Sequence, residues 1–246
     1  MNRASRVNRF LGNETYTNPA TYEPRKAGFP MSILTIATTK GGAGKTTLAR
    51  LILARAPLSG LTAAAIDADL NHTLTDWVST VAKSPITIRH EVDETKIVPL
   101  VDELHNSHDV VVIDTAGAAS QATIFAIGCA DLVLVPIAPS SADIVEAIKT
   151  VNLIKSASQM MRREVVARVV LTAVQPGTNI AEHVEKEVAK AGLPIIRTRL
   201  HRLVAFQEMS FTGIAPTSGH AGFQCSNFLD DLEALGGLPE ARKLAS

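Results

Sequence analysis

Three glycines, two lysines and three threonines fall within nine residues, Thr39-Lys40-Gly41-Gly42-Ala43-Gly44-Lys45-Thr46-Thr47. Glycine lets a main chain approach a polyphosphate closely. A helix that starts just after such a loop aims its free N–H groups and positive dipole end at the same anion. Lys45 then has the reach for β- and γ-phosphates, and the Thr46 hydroxyl for a Mg²⁺ ion bound to them. The chemistry is nucleoside triphosphate binding, with Lys40, Gly41, Gly42, Ala43, Gly44, Lys45, Thr46 and Thr47 as the cradle. The run departs from the pattern G-x-x-x-x-G-K-S/T at its start, where Thr39 takes the place of the first glycine and a second cation, Lys40, follows. Either Lys40 is a solvated loop residue, or its charge serves the polyphosphate beside it.

Two further segments supply carboxylates. Ala63-Ala64-Ala65-Ile66-Asp67-Ala68-Asp69 is an apolar run closed by two acids, which share one side of an extended chain. Carboxylates beside a triphosphate repel it unless metal or water intervenes. Asp67 is therefore assigned to orienting Mg²⁺-bound water, and Asp69 to positioning or activating the attacking water. In Val110-Val111-Val112-Ile113-Asp114-Thr115-Ala116-Gly117, four apolar residues make a buried strand with Asp114 at its carboxyl end. Magnesium keeps several waters, so Asp114 acts on it through one of them. The expected metal set is Thr46, Asp67 and Asp114, and the expected catalytic set is Lys45 and Asp69, joined by Lys40 if its charge serves the polyphosphate.

For these groups to meet, the elements between them must bring three strand ends together. Apolar runs predict strands over 32–38, 62–67, 86–91, 109–114, 131–136, 165–172 and 194–199. Amphipathic segments predict helices over 45–57, 73–82, 95–106, 120–128, 141–158, 179–191, 201–209 and 222–235. Regular alternation implies right-handed βαβ crossovers, and so an α/β fold: a doubly wound, mainly parallel sheet with helices on both faces. Ligands of such a sheet bind outside the carboxyl ends of its strands, where every segment above falls. Trp77 reads as a packing residue, and His105 and His108 as exposed polar residues at a helix end rather than metal ligands.

Composition narrows the class. Hydrophobic residues make up 46% of 246 residues with only 4% aromatic, so Ala, Val, Leu and Ile build the core, as in sheets covered by helices. Formal net charge is zero, so any nucleic-acid contact must come from a local patch. Cys129 and Cys225 form no C-x-x-C pair, which fits a reducing, cytoplasmic setting. The first 30 residues show no apolar signal region, and the longest apolar stretch, Ile124 to Pro139, is broken by Asp131 and Pro136. Residues 1–30 carry Arg3, Arg6, Arg9, Arg25 and Lys26 against Glu14 and Glu23, the composition of a flexible basic arm. That arm is either a DNA or partner contact or a stretch upstream of a working start at Met31. Residues 31–246 form a single domain.

The K-G-G-x-G-K-T arrangement resembles the deviant Walker A box of the ParA/MinD family of partitioning ATPases. Asp67-Ala68-Asp69-Leu70-Asn71 resembles the family's D-x-D-P-Q/N box, with Leu70 where proline is usual. Thr73, Leu74 and Trp77 resemble the S/T-L-T-x-W stretch of small plasmid ParA proteins, and Asp114-Thr115-Ala116-Gly117 the switch segment. Pro139-Ser140-Ser141-Ala142-Asp143 resembles the P-S-x-x-D segment, in which Asp143 is assigned a structural role. Leu193 to Arg202 resembles the late strand that leads into the C-terminal helices.

The resemblance implies ATP and Mg²⁺ as cofactors and a homodimer formed on ATP binding. Lys40 would reach across that interface to the nucleotide of the other subunit, and Gly117 would move with the γ-phosphate. Adenine contacts would come from Ile214-Ala215-Pro216-Thr217, with Pro216 the site residue, or from Gln175-Pro176-Gly177. Arg197, Arg199 and Arg202, with Arg162, Arg163 and Arg168 as possible neighbours, would bind DNA without sequence preference. A ParB-like or adaptor partner would speed slow ATP hydrolysis, and the ATP state would associate with the nucleoid.

Other members of the superfamily define the alternatives. One is a nucleotide-gated DNA-binding switch with negligible hydrolysis, another a VirC1-like accessory of DNA transfer. A MinD-like membrane oscillator needs a basic amphipathic helix, and Asp230-Asp231-Leu232-Glu233-Ala234-Leu235 is acidic, so no stable membrane association is expected. An iron–sulfur carrier needs paired cysteines. The cargo is open: a plasmid, a chromosome origin, a protein cluster or a transferred DNA strand.

Overall fold

The computed structural model of the chain describes residues 32–176 and 179–240. Six strands, β1 (Ser32–Ile36), β2 (Ala63–Ala68), β3 (Ile86–His90), β4 (Val110–Thr115), β5 (Leu132–Ile137) and β6 (Val166–Leu171), form one sheet. Their order is β3-β2-β4-β1-β5-β6, and every neighbouring pair is parallel. The connections are helical: α1 (Lys45–Arg55), α2 (Thr73–Thr80), α3 (Glu94–His105), α4 (Gln121–Cys129) and α5 (Ser141–Met161) join successive strands, and α6 (Ile180–Lys190), α7 (Val204–Thr212) and α8 (Gly219–Ala234) follow β6.

The four inner strands, β2, β4, β1 and β5, are mainly apolar on both faces because both faces are covered. Successive side chains of a strand point to opposite sides. Thus Leu34, Ala65, Val112 and Leu134 pack into one core with residues of α1, α2, α7 and α8. Their neighbours Ile33, Ile66, Val111 and Ile113 pack against α3 and α4, and Val133 and Val135 against α5 and α6. Trp77 is buried, and its indole N–H donates to the Met209 carbonyl at 3.0 Å, so it ties α2 to α7 as a packing residue.

Parallel register sets the site. Ile36 pairs with Asp114, Asp114 with Asp67, and Asp67 with His90. The carboxyl ends of β1, β4, β2 and β3 therefore stand level. The loop after β1 opens beside Asp114 and Asp67, although 78 positions of sequence separate Ile36 from Asp114.

Three expectations change. The predicted strand over 194–199 is not a full strand: this segment touches the sheet through two isolated parallel bridges, Val169 with Ile195 and Val174 with His201. Pro194 has no N–H to give, and Asp231 on α8 takes both the main-chain N–H and the hydroxyl of Thr198, at 2.8 and 2.6 Å, which pulls the segment off the ladder. α7 begins at Val204 rather than at 201, because residues 200–202 are still extended, with His201 bridged to Val174 in parallel and the Leu200 carbonyl and Arg202 N–H bound to Val174. His105 is buried rather than exposed. It completes the stripe Ile97, Val101, Leu104, His105 at helical spacing on the inner face of α3. The arm over residues 1–30 and Gly177 lie outside the described residues. No helix among the described residues is long and apolar enough to cross a membrane.

Candidate functional site

The loop between β1 and α1 folds as a cradle. Gly44 holds a left-handed conformation, φ 95° and ψ 17°, immediately before the first helical residue, a geometry strained for any side chain. Lys45 is buried and its ammonium turns back over the loop, 3.3 Å from the Lys40 carbonyl. Burial pulls its pKa down, opposed by the charges of Asp114 and then Asp69. The loop is fastened from outside as well. Thr172 donates its hydroxyl to the Ala43 carbonyl at 3.1 Å. Thr39, the residue in place of the usual glycine, donates its N–H to Thr150 at 3.1 Å and its hydroxyl to Glu146 at 2.7 Å, both on α5.

Lys40 stands at the lip. Its ammonium is 2.9 Å from the carboxylate of Asp143, which is itself buried and also receives the Ser140 hydroxyl. Ser140 caps α5 through the N–H of Asp143. Asp143 thus is structural in two ways: it starts a helix and holds a lysine. Gly117 lies directly on the loop. A Cβ there would sit 3.0 Å from the Gly41 nitrogen, 3.1 Å from its Cα and 3.3 Å from the Lys40 carbonyl carbon. Gly117→Ala displaces the loop, and nucleotide binding must reverse that displacement. Overpacking costs about 1–3 kcal/mol, so affinity for a fluorescent ATP analogue should fall roughly 5- to 150-fold. Unchanged affinity would show that the loop yields freely.

Asp114 is almost fully buried, and neither carboxylate oxygen has a hydrogen-bond partner. Burial pushes its pKa up to about 7, with Asp67 and Asp69 adding to the rise and the Thr46 hydroxyl and Lys45 opposing it. Thr46 is near enough to favour the charged form without making a well-directed bond. An orphaned buried carboxylate of this kind fits a group that meets a cation or its water, so the donor set suits Mg²⁺. Its titration has a sign. The folded chain holds this proton between about pH 4 and pH 7, where the unfolded chain has lost it, so stability falls as pH rises through that window. The span is on the order of 4 kcal/mol at most. Asp114→Asn should flatten the slope of melting temperature against pH, raise the melting temperature of the nucleotide-free chain at pH 8, and remove the Mg²⁺-dependent part of ATP stabilisation. A pH slope identical to that of the unsubstituted chain would show that Asp114 is not its source.

The other two acids divide their work. Asp67 is fully buried. One of its oxygens accepts from the N–H groups of Leu74 and Thr75 and the Thr75 hydroxyl, at 3.1, 2.8 and 3.0 Å, and the other from the Asp69 N–H at 3.2 Å. It therefore caps α2 from a distance, a helix whose own N-cap, His72, makes no side-chain cap. Asp69 is half-buried and accepts the N–H and side-chain amide of Asn71 at 3.0 and 2.9 Å. Sequence reasoning missed Arg50. It lies one helical turn past Thr46, its guanidinium donates to the Thr73 carbonyl at 3.1 Å and stands 5.5 Å from the Trp77 ring. Burial lowers its pKa, and Asp114 and Asp67 oppose the shift.

A cavity of about 640 Å³ opens beside the cradle. Gly42, Ala43, Gly44, Thr47, Leu48 and Leu51 form one wall, Arg202, Leu203, Phe206, Gln207 and Phe211 the other, and Thr172 and Ala173 the end. Ala173 has φ 52°, a strained conformation of the kind that gathers at ligand sites. Pro216 does not line this cavity; its carbonyl faces Arg55 at 3.5 Å. Nor do the three arginines form one free patch. Arg197 pairs with Asp231 at 2.9 Å, Arg199 forks onto Glu185 at 2.5 and 2.6 Å, and Arg202 lines the cavity.

The parallel sheet, with a two-lysine glycine loop after β1 and acids at the ends of the strands beside it, is that of the ParA/MinD-type P-loop ATPases. Residues 31–219 match the family model described as VirC1 protein, and the chain belongs to that family. It is 29% identical over 182 residues to Protein ParA of Rhizobium radiobacter, covering 73% of this chain and 82% of that one. It is 27% identical over 188 residues to the maintenance of carboxysome distribution protein A of Halothiobacillus neapolitanus, covering 74% and 85%. The fold superposes on a Cyanothece McdA–ATP complex with a TM-score of 0.67 at 19% identity, covering 89% of this chain and all of that one.

Proposed function

We propose that the chain is an ATPase that dimerises on ATP, binds DNA non-specifically in that state, and is reset by slow hydrolysis that a small partner protein speeds. The observation that carries this reading is Lys40. It stands at the rim of a complete phosphate cradle, 37% exposed, and its ammonium is held by a carboxylate, Asp143, that an incoming phosphate can replace. A second copy of the chain brings such a phosphate, and the γ-phosphate then supplies the differential contact that favours the dimer.

Within each subunit, Lys45 and the loop N–H groups hold the β- and γ-phosphates. Thr46 and Asp114 would hold Mg²⁺, with Asp67 one step behind, since its oxygens already serve α2 and Asp69. The ion supplies charge neutralisation across the phosphates. Asp69 orients the attacking water, and Gly117, packed on Gly41, senses whether the γ-phosphate is present. The base enters the cavity against Leu48, Leu51 and Phe206. DNA is the proposed cargo, following the likeness to ParA. Arg197 and Arg199 offer it less than their number suggests, because acids already neutralise them. Phosphate release with and without duplex DNA tests the reading. Slow, Mg²⁺-dependent release is expected; tight ATP binding with no release would leave a nucleotide-gated switch.

A further inference from the structure

The loop that carries Asp69 runs from the end of β2 to the start of α2. Leu70, next to Asp69, is 74% exposed, so it adds neither a fixed φ nor packing to the loop. Two imidazoles brace the loop instead. His90 ends β3 opposite Asp67, and its Nε2 lies 3.2 Å from the Asp69 carbonyl oxygen. A carbonyl only accepts, so Nε2 carries the proton and donates. His72 closes the loop from its far end. Its N–H donates to the same carbonyl at 3.2 Å, its main chain is left-handed with φ 54°, and its ring lies on that of His90, centroids 3.6 Å apart and planes 31° apart. A non-glycine residue in that conformation is costly and persists where its surroundings over-determine it. Here the stacked ring and the shared carbonyl do so.

We propose that His90 is a positioning residue for Asp69, with His72 stacked on it as a brace. The proposal rests on the reading of Asp69 as the residue that orients the attacking water. The arrangement separates two tasks. Asp67 is held by α2, and the end of the β2–β3 ladder is closed by the Glu91 N–H on the Asp67 carbonyl at 3.0 Å, neither of which needs the His90 ring. The imidazole bond goes to Asp69 alone. Losing it leaves the sheet and the cradle in place and lets the Asp69 loop drift.

Steady-state ATP turnover of His90→Ala, His90→Gln and Asp69→Ala, with binding of a fluorescent ATP analogue and a melting curve for each, tests this. A displacement near 1 Å at a reacting group costs about 100-fold, so His90→Ala should lose roughly 10- to 100-fold in kcat with KM and analogue affinity unchanged. Glutamine can donate to the same carbonyl, and His90→Gln should recover kcat to within about threefold of the unsubstituted chain. Unchanged kcat in His90→Ala beside an inactive Asp69→Ala overturns the clamp. So does a fall in kcat that comes with lost analogue binding and a lowered melting temperature and is not rescued by glutamine. Normal turnover in Asp69→Ala overturns the assignment of Asp69 itself, whatever His90 does.

Discussion

Lys45→Ala should abolish measurable nucleotide binding. The lysine is the first residue of α1, its stem is buried, and its ammonium already lies over the loop, 3.3 Å from the Lys40 carbonyl. It is thus fixed in advance over the space that β- and γ-phosphates would take, with little side-chain freedom left to lose on binding. Each hydrogen bond from a charged group contributes about 1.5–3 kcal/mol, so losing contacts to two phosphates should weaken affinity by about 100-fold or more. The fold should survive, because the core under α1 is built by Leu48, Leu51 and Ile52 and does not involve the ammonium. Titration of a fluorescent ATP analogue, beside a melting curve, measures both. Undiminished binding would remove the cradle from the function.

Asp69→Ala should do the opposite: keep ATP binding and ATP-dependent dimerisation, and lose turnover. Positioned acid–base groups contribute about 10²- to 10⁴-fold, and turnover should fall by that order. ATP affinity should rise slightly, since one negative charge beside the γ-phosphate is gone. The effect differs from that of Asp114→Asn, which acts on Mg²⁺ dependence and on the pH slope of stability. Normal turnover in Asp69→Ala would take Asp69 out of the mechanism.

Which features were legible in the chain follows from range. The cradle reads directly, because strand, glycine loop and helix are contiguous and each has its own local signal. So does the sheet, because β1, β2, β4 and β5 are buried on both faces and show as mainly apolar runs. Partners fixed by the fold do not read. Thr39 is tethered by Glu146 and Thr150, more than a hundred positions away, and nothing local to Thr39 announces them. Arg197 and Arg199 look like a free cationic cluster until Asp231 and Glu185 are placed beside them. Asp67 reads as a metal ligand, yet it also caps α2 at spacings of seven and eight residues, outside any capping-box pattern. His90 is unremarkable in sequence, and only the register of β2 against β3 brings it to Asp69 and onto the ring of the nearby His72.

The central claim is that ATP, and not ADP, converts a monomer into a DNA-binding dimer. Sedimentation velocity of the purified chain with ATP–Mg²⁺, ADP–Mg²⁺ or no nucleotide, with and without duplex DNA of unrelated sequence, at low and high salt, tests it most directly. A monomer without ATP, a dimer with ATP–Mg²⁺, and co-sedimentation of that dimer with DNA that is lost as salt rises, as phosphate contacts require, are expected. A chain that binds ATP yet stays monomeric and sediments apart from DNA would contradict the claim.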